Sequence, residues 1–156
     1  QGRIINVSSP AHSRATEDLD DIVAPANYDR RLAYGRSKLA NLYFTYELHV
    51  KLENTNIAVN AVDPGGVATN FSRNNGLYAW LKHYLSYILQ LKLISPQKAA
   101  ETIVYLSSSE EVSGITGKYF FEKKEISSSP ASYSKEAALK LWQLSLKLTG
   151  MDYLQI

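Results

Sequence analysis

The chain has 156 residues, which is enough for one domain and too few for two of ordinary size. Hydrophobic residues make up 45% and charged residues 21%, so the composition excludes a disordered chain, and a net charge of +2 without basic runs does not indicate a nucleic-acid partner. Cysteine is absent, which excludes disulfides and thiolate metal sites, and the three scattered histidines do not form a zinc pattern. We therefore expect a globular protein without a metal.

The first predicted element is a short apolar strand from Arg3 to Val7, which ends at a Ser-Ser-Pro turn. The polar stretch from 11 to 30 predicts an irregular loop, with its acidic cluster, residues 17–21, solvated rather than metal-binding. The sequence enters a buried strand almost at once, with neither an initiator Met nor a signal peptide. We therefore expect the chain to be truncated on its N-terminal side.

A strand–helix–strand unit follows from the next two elements. Apolar residues recur at three- and four-residue steps from 31 to 53, which predicts a helix, and residues 57–62 form a second apolar strand that stops at an Asp-Pro-Gly-Gly turn. Both strands are too apolar to have one face in water, which is typical of strands in a parallel sheet. The alternation predicts an α/β fold with a right-handed βαβ unit.

The remaining segments extend this pattern. Residues 77–94 are the most apolar part of the chain and predict a helix with one narrow polar stripe. Ser95 and Pro96 predict the start of a helix that runs to about 106. Residues 117–121 predict a third strand, and residues 127–130 are expected to be a linker. Residues 134–150 predict an amphipathic helix that ends at Gly150.

Tyr34 and Lys38 are the candidate chemical centre. Their four-residue spacing places both on one helix face, about 5–6 Å apart between Cβ atoms. An ammonium near a phenol favours the phenolate, which lets a tyrosine exchange protons with an alcohol or a carbonyl near neutral pH. The spacing alone is weak, because it recurs at Tyr78/Lys82 and Tyr119/Lys123.

The surroundings of the first pair distinguish it from the other two. Ser9 follows the first strand and residues 64–69 follow the second, and the carboxyl edge of a parallel sheet is where α/β proteins bind ligands. A serine hydroxyl there can stabilise a reacting oxygen, although an ordinary turn serine fits as well. The Pro-Gly turn allows close approach of a flat ring, and Thr69 offers a hydroxyl, although a plain β-turn is an open alternative.

Together these segments resemble the second half of the short-chain dehydrogenase/reductase family. Three runs carry the resemblance in order: RIINVSS at 3–9, YGRSKLAN at 34–41 and DPGGVAT at 63–69. The Ala-His after the serine and the long interval to the tyrosine look most like the retinol-dehydrogenase-like branch. The resemblance implies a doubly wound parallel, Rossmann-like sheet, of which this chain holds the last three strands and their flanking helices.

The resemblance also implies roles for particular residues. Ser9 matches the serine that holds the substrate oxygen, Tyr34 the general acid/base, and Lys38 the lysine that binds the nicotinamide ribose. The residues that match the segment lining the nicotinamide are Pro64, Gly65, Val67 and Thr69. The cofactor implied is NADP or NAD, with the choice open.

The family's glycine-rich phosphate loop and its tetrad asparagine lie upstream of residue 1, so residues 1–156 are expected to be the C-terminal catalytic portion of one dehydrogenase domain. We expect the isolated chain to be inactive and prone to aggregate. The last 30 residues match the family only loosely.

We therefore expect an NAD(P)(H)-dependent oxidoreductase acting on an alcohol or carbonyl. The apolar segment 77–94 suggests a lid over a lipophilic substrate, with peripheral membrane contact as an alternative. Two other functions stay open, a non-catalytic Rossmann-like binding or scaffold protein and an epimerase or dehydratase on the same scaffold. A cytoplasmic location, membrane-associated if 77–94 binds lipid, and a homodimer of the full-length protein are further expectations. His12 and His83 are interpreted as bystanders.

Overall fold

The structure, a computed structural model, describes residues 2–16, 28–67, 85 and 94–151. Its first unit is strand β1 (Gly2–Val7), helix α1 (Arg30–Lys51) and strand β2 (Ile57–Asp63). The two strands are parallel and pair in register from Gly2 opposite Ile57 to Val7 opposite Val62. The predicted βαβ unit is therefore confirmed, with bounds within two residues of those expected.

The sheet continues beyond the predicted three strands. Strand β3 (Tyr119–Phe121) is parallel to β2, and strand β4 (Lys124–Ile126) returns antiparallel to β3, so the described sheet is mixed with the order β1-β2-β3-β4. Strand β4 was not predicted from the sequence. Its connection to β3 is a two-residue turn of Glu122 and Lys123, which lacks the Asn-Gly or Asp-Gly signal that usually marks such a hairpin.

Two more helices complete the described fold, α2 (Pro96–Ser108) and α3 (Lys135–Thr149). Both begin where predicted, and each has a serine N-cap: the Ser95 hydroxyl accepts a hydrogen bond from the Lys98 amide at 3.1 Å, and the Ser134 hydroxyl accepts one from the Ala137 amide at 3.3 Å. Gly150 ends α3 in the left-handed conformation, as predicted. Three 3-10 helices that were not predicted lie at Pro10–Arg14, Glu110–Val112 and Pro130–Tyr133.

Helices cover both faces of the sheet. Successive residues of β2 point to opposite faces of the sheet, so Ala61 packs with Leu42 of α1, whereas Val62 packs with Leu106 of α2. This two-sided burial explains why the whole of β2 after its first residue is buried and why its sequence is almost continuously apolar. The arrangement is a partial Rossmann-like α/β fold, as predicted.

Some predictions fall where the structure gives no description. The acidic cluster at 17–21, Thr69, the Tyr78/Lys82 pair and most of the 77–94 segment lie outside the described residues. Within the described part of the chain, no helix combines the length and apolarity needed to cross a membrane.

Candidate active site at the carboxyl edge of the sheet

The ends of β1 and β2 lie side by side. Val7 is paired with Val62, and the Ser8 amide donates a hydrogen bond to the Val62 carbonyl at 2.8 Å. The turn after β1, residues 8–11, is called the serine turn below. It meets the turn that follows β2, residues 63–66, at one edge of the sheet. This is the carboxyl edge, where parallel α/β proteins bind their ligands.

Helix α1 brings Tyr34 and Lys38 to this edge. The Lys38 Nζ lies 5.5 Å from the centroid of the Tyr34 ring and donates a hydrogen bond to the carbonyl of Val7 at 3.3 Å. Burial lowers the pKa of the Lys38 ammonium, because the partly buried group gives up hydration. The Tyr119/Lys123 pair has a different setting, since Tyr119 is buried in β3 and Lys123 lies in the exposed hairpin turn.

The serine turn is packed directly against α1. Ser8 is 1% exposed, and its hydroxyl donates to the Lys38 carbonyl at 2.9 Å. A Cβ added to Gly35 would lie 2.7 Å from the Ala11 carbonyl oxygen, closer than an ordinary contact. These two contacts lie on either side of Ser9 in the sequence, and the second involves the residue next to Tyr34, so the turn that carries Ser9 packs against the helix that carries Tyr34.

Ser9 itself is half-buried at the start of the Pro10–Arg14 helix. Its hydroxyl oxygen accepts a hydrogen bond from the Ala11 amide at 3.3 Å, so Ser9 is the N-cap of this 3-10 helix. The sequence analysis noted an ordinary turn serine as the alternative to a functional one. The capping bond uses the oxygen as an acceptor and leaves the hydroxyl proton as a donor for another oxygen.

The turn after β2 is built around a buried carboxylate. Asp63 is 7% exposed, and its Oδ1 accepts a hydrogen bond from the Gly65 amide at 2.8 Å. Burial raises the pKa of the Asp63 carboxyl, and this hydrogen bond opposes the rise only in part. Gly65 has a φ of 76°, a left-handed conformation that glycine adopts without strain.

The same turn borders a cleft of about 230 Å³, whose lining includes Asp63, Pro64 and Phe121. Beyond it, Val67 forms a parallel bridge with Ile94, and the Ile94 amide donates to the Gly66 carbonyl at 2.9 Å. Pro64, Gly65 and Val67 therefore lie together at the predicted edge. Thr69, the last residue of the predicted set, falls in the part of the chain left undescribed.

Asn41 is a site residue that the sequence analysis did not single out. Its Nδ2 donates a hydrogen bond to the Val7 carbonyl at 2.9 Å, and the same oxygen accepts a second hydrogen bond from the Lys38 ammonium. Asn41 therefore fixes the carbonyl that holds Lys38. The signal was available, because a residue three positions after Lys38 on a helix lies on the same face.

His12, which was interpreted as a bystander to the chemistry, is a buried residue with contacts on both ring nitrogens. It is 4% exposed, its Nδ1 lies 2.6 Å from the Ser9 carbonyl oxygen, and its Nε2 accepts a hydrogen bond from the Ser129 amide at 2.9 Å. Its ring also meets the Tyr119 ring edge-on, with centroids 5.4 Å apart. Two of these partners, Ser129 and Tyr119, are more than a hundred positions away in the chain, so no local pattern could have revealed them. Among the described residues, no group of three or more His, Asp or Glu is placed to hold a metal ion.

The fold and the two strand-end turns define an α/β protein with a partial Rossmann-like sheet. The family model described as enoyl-(acyl carrier protein) reductase matches residues 1–121. The chain belongs to the short-chain dehydrogenase/reductase family.

Within the family, the chain is similar to retinol dehydrogenases. It is 36% identical to human retinol dehydrogenase 14 over 149 residues, which cover 96% of this chain and 44% of that protein. The structure of an uncharacterised Mycobacterium paratuberculosis protein superposes with a TM-score of 0.70 at 25% identity, covering 98% of this chain and 52% of that one. An angucycline C-6 ketoreductase with bound NADP gives a TM-score of 0.53 at 26% identity, covering 78% and 42%. The chain thus spans about half the length of the proteins it resembles.

Proposed function

We propose that this chain is the catalytic half of an NAD(P)(H)-dependent dehydrogenase that interconverts an alcohol with its aldehyde or ketone. One observation carries the proposal. The Tyr34/Lys38 pair of α1 lies at the carboxyl edge of the sheet, where the serine turn packs against the same helix. The similarity to retinol dehydrogenases and to an NADP-bound ketoreductase supports the choice of reaction.

In the proposed reaction, Tyr34 is the general acid in reduction and the general base in oxidation. Its hydroxyl gives a proton to the carbonyl oxygen of the substrate or takes one from the alcohol. The Lys38 ammonium places a positive charge beside Tyr34, with its Nζ 5.5 Å from the centroid of the ring. Ser9 donates a hydrogen bond from its hydroxyl to the same substrate oxygen, which stabilises the negative charge that develops there.

The residues of this edge fit a nicotinamide cofactor. An ammonium has three N–H donors, and the described contacts of Lys38 use one of them on Val7, so donors remain for the two hydroxyls of a ribose. The Pro64–Gly65 turn presents backbone and no long side chain, which lets a flat ring approach closely. When bound, the cofactor supplies the hydride, and the protein contributes orientation and electrostatics.

We propose further that activity requires additional residues on the outer side of β1. The chain spans 44% of retinol dehydrogenase 14, and the described part of the sheet pairs β1 only with β2. β1 is half-exposed along its length although its sequence is mostly apolar, and Val7 is 40% exposed. An apolar strand of this kind is normally covered by a neighbouring strand. The experiments below therefore use the longer chain, meaning the natural protein that contains these 156 residues.

For the substrate, we propose a lipophilic alcohol or carbonyl compound of retinoid, steroid or long-chain type. The apolar composition of residues 77–94 supports this, because a lid of such residues would exclude water from the site. The same segment is the candidate for peripheral membrane contact, and a homodimer of the longer chain stays a proposal. Activity on small polyols together with none on long-chain carbonyls would contradict the lipophilic assignment.

The direct test is Tyr34→Phe in the longer chain, measured by steady-state turnover of a long-chain aldehyde with NADPH and NADH. The variant lacks only the hydroxyl, so we expect kcat to fall by about 100-fold or more while cofactor Kd changes little. Tyr28→Phe is the matched control, because Tyr28 is 77% exposed and its change should leave turnover intact. Unchanged turnover in Tyr34→Phe would refute the assignment, and cofactor binding without turnover in the unaltered protein would favour a binding protein.

A further inference from the structure

The buried imidazole of His12 joins two parts of the chain that are far apart in sequence. Its Nε2 lies 2.9 Å from the Ser129 amide nitrogen and its Nδ1 lies 2.6 Å from the Ser9 carbonyl oxygen. A backbone amide can only donate, so Nε2 accepts and carries no proton. A carbonyl can only accept, so Nδ1 carries the proton and donates it. One neutral tautomer of His12 therefore satisfies both bonds.

The segment at the other end of this bridge is itself fixed to α1. The Tyr43 hydroxyl, on a side chain that is fully buried, donates to the Ala131 carbonyl at 3.0 Å. The Tyr46 hydroxyl and the Ser128 hydroxyl are hydrogen-bonded at 2.7 Å. Residues 128–133 thus connect His12 to the helix that carries Tyr34 and Lys38. This segment follows the last residue that the family model matches, residue 121.

We propose that His12 is a positioning residue, which couples the backbone of Ser9 to residues 128–133 and thereby holds the Ser9 hydroxyl at a fixed place opposite Tyr34. The proposal rests on the proposed function and deepens it. A carbonyl held by a buried donor leaves the serine turn little freedom to shift along α1. Catalysis is sensitive to such shifts, since a misplacement of about 1 Å can cost about 100-fold in rate.

Ser129 offers a way to remove one bond of this bridge without changing His12. Its backbone has a φ of −64° and a ψ of 150°, which proline adopts without strain. Ser129→Pro therefore keeps the chain direction but replaces the N–H that donates to His12 with the ring Cδ, which breaks the bond and pushes the imidazole and residues 128–133 apart. Ser129→Ala is the matched control, because it keeps the N–H and removes only a hydroxyl that has no hydrogen-bond partner among the described residues. His12→Asn removes the same bond from the other side, because the shorter amide can reach Ser9 but not Ser129.

In the longer chain, we expect Ser129→Ala to keep the kcat of the unaltered protein, and Ser129→Pro and His12→Asn each to lower kcat about 10-fold, with cofactor Kd unchanged. The double variant should lose no more than the worse single variant, because both changes break one and the same bond. A full kcat in Ser129→Pro, or losses that multiply in the double variant, would overturn the proposal.

Two NMR measurements test the bridge independently of turnover. Long-range proton–nitrogen correlations should show His12 neutral with its proton on Nδ1, and a proton on Nε2 would overturn the proposal. The Ala11 amide, which donates to the Ser9 hydroxyl at 3.3 Å, should shift in Ser129→Pro but not in Ser129→Ala. If Tyr34→Phe leaves turnover intact, the proposed function fails, and these spectra still decide whether His12 holds the serine turn. If either Ser129→Pro or His12→Asn does not fold, the other variant still tests the proposal, because each of them breaks the bond between His12 and Ser129.

Discussion

Gly35 determines how closely the serine turn can approach helix α1, and Gly35→Ala tests this. Alanine in the middle of a helix is normally favourable by about 1 kcal/mol relative to glycine. Here the new Cβ would lie 2.7 Å from the Ala11 carbonyl oxygen and 3.5 Å from the Arg14 Cβ, whereas ordinary contacts begin at 3.4 Å. The Pro10–Arg14 helix would therefore have to move away from α1 by about 0.7 Å, a shift of backbone rather than of a flexible side chain.

The gain in helix propensity and the cost of the close contact have opposite effects on stability, so the expected free energy of unfolding depends on which is larger. Overpacking of this kind costs about 1–3 kcal/mol, so we expect Gly35→Ala to leave stability unchanged or to lower it by up to about 2 kcal/mol after the gain in helix propensity. The same shift would carry Ser9 away from Tyr34. We expect kcat to fall about 10- to 100-fold, with cofactor Kd almost unaffected.

Denaturant unfolding and steady-state kinetics on the longer chain measure these two quantities. Ser37→Gly and Ser37→Ala are the control pair, because Ser37 is an exposed position of the same helix and their difference in stability gives the propensity gain directly. If Gly35→Ala were stabilised by the full difference of that pair and retained its kcat, the close contact between Ala11 and Gly35 would not restrain the turn.

The remaining predictions concern stability. Asp63→Asn keeps an oxygen acceptor for the Gly65 amide but removes a buried charge. Because burial raises the pKa of Asp63, the unaltered protein loses stability as pH rises through the interval above about 3.8. The variant should not show this loss of stability, because its side chain carries no charge. Urea midpoints should therefore favour Asp63→Asn at pH 7 and converge towards pH 4, and a less stable variant at pH 7 would contradict this. Glu122 and Lys123 have φ values of 48° and 64°, so the double change Glu122→Asn and Lys123→Gly should raise the unfolding free energy by about 1 kcal/mol in a denaturant titration. The change at Lys123 removes only an exposed ion pair with Glu101 at 3.4 Å, which contributes little to stability. If the double variant were no more stable than the unaltered protein, the turn would be unstrained.

The sequence predicts the parts of the fold that depend on neighbouring residues. The βαβ unit follows from two apolar runs separated by a helical period, and the starts of α2 and α3 follow from Ser95 and Ser134, whose hydroxyls accept local amides. The missed parts depend on weak or absent local signals. Strand β4 is three residues long with exposed side chains, and its turn contains two residues that seldom adopt a positive φ.

The candidate site divides in the same way. Ser9, Tyr34 and Lys38 could be identified because each occupies a position with a known geometric meaning, a strand end or one face of a helix. The residues that hold them could not, apart from Asn41, because their contacts cross long intervals of sequence. His12 meets Ser129 across 117 residues, and a single sequence carries no trace of such a pairing.

The serine turn is held from three directions, and none of the three contacts uses the side chain of Tyr34 or of Lys38. The Ser8 hydroxyl bonds the Lys38 carbonyl, Gly35 permits the close contact with Ala11, and His12 ties the Ser9 carbonyl to residues 128–133. A Tyr and a Lys four residues apart occur again in this chain at positions 119 and 123, but there the tyrosine is buried in a strand and the lysine lies in an exposed hairpin turn. What turns one such pair into a candidate catalytic site is therefore the packing that fixes a third group opposite it. Changes at Gly35 or His12 should accordingly impair the proposed chemistry while the Tyr34 and Lys38 side chains are both still present.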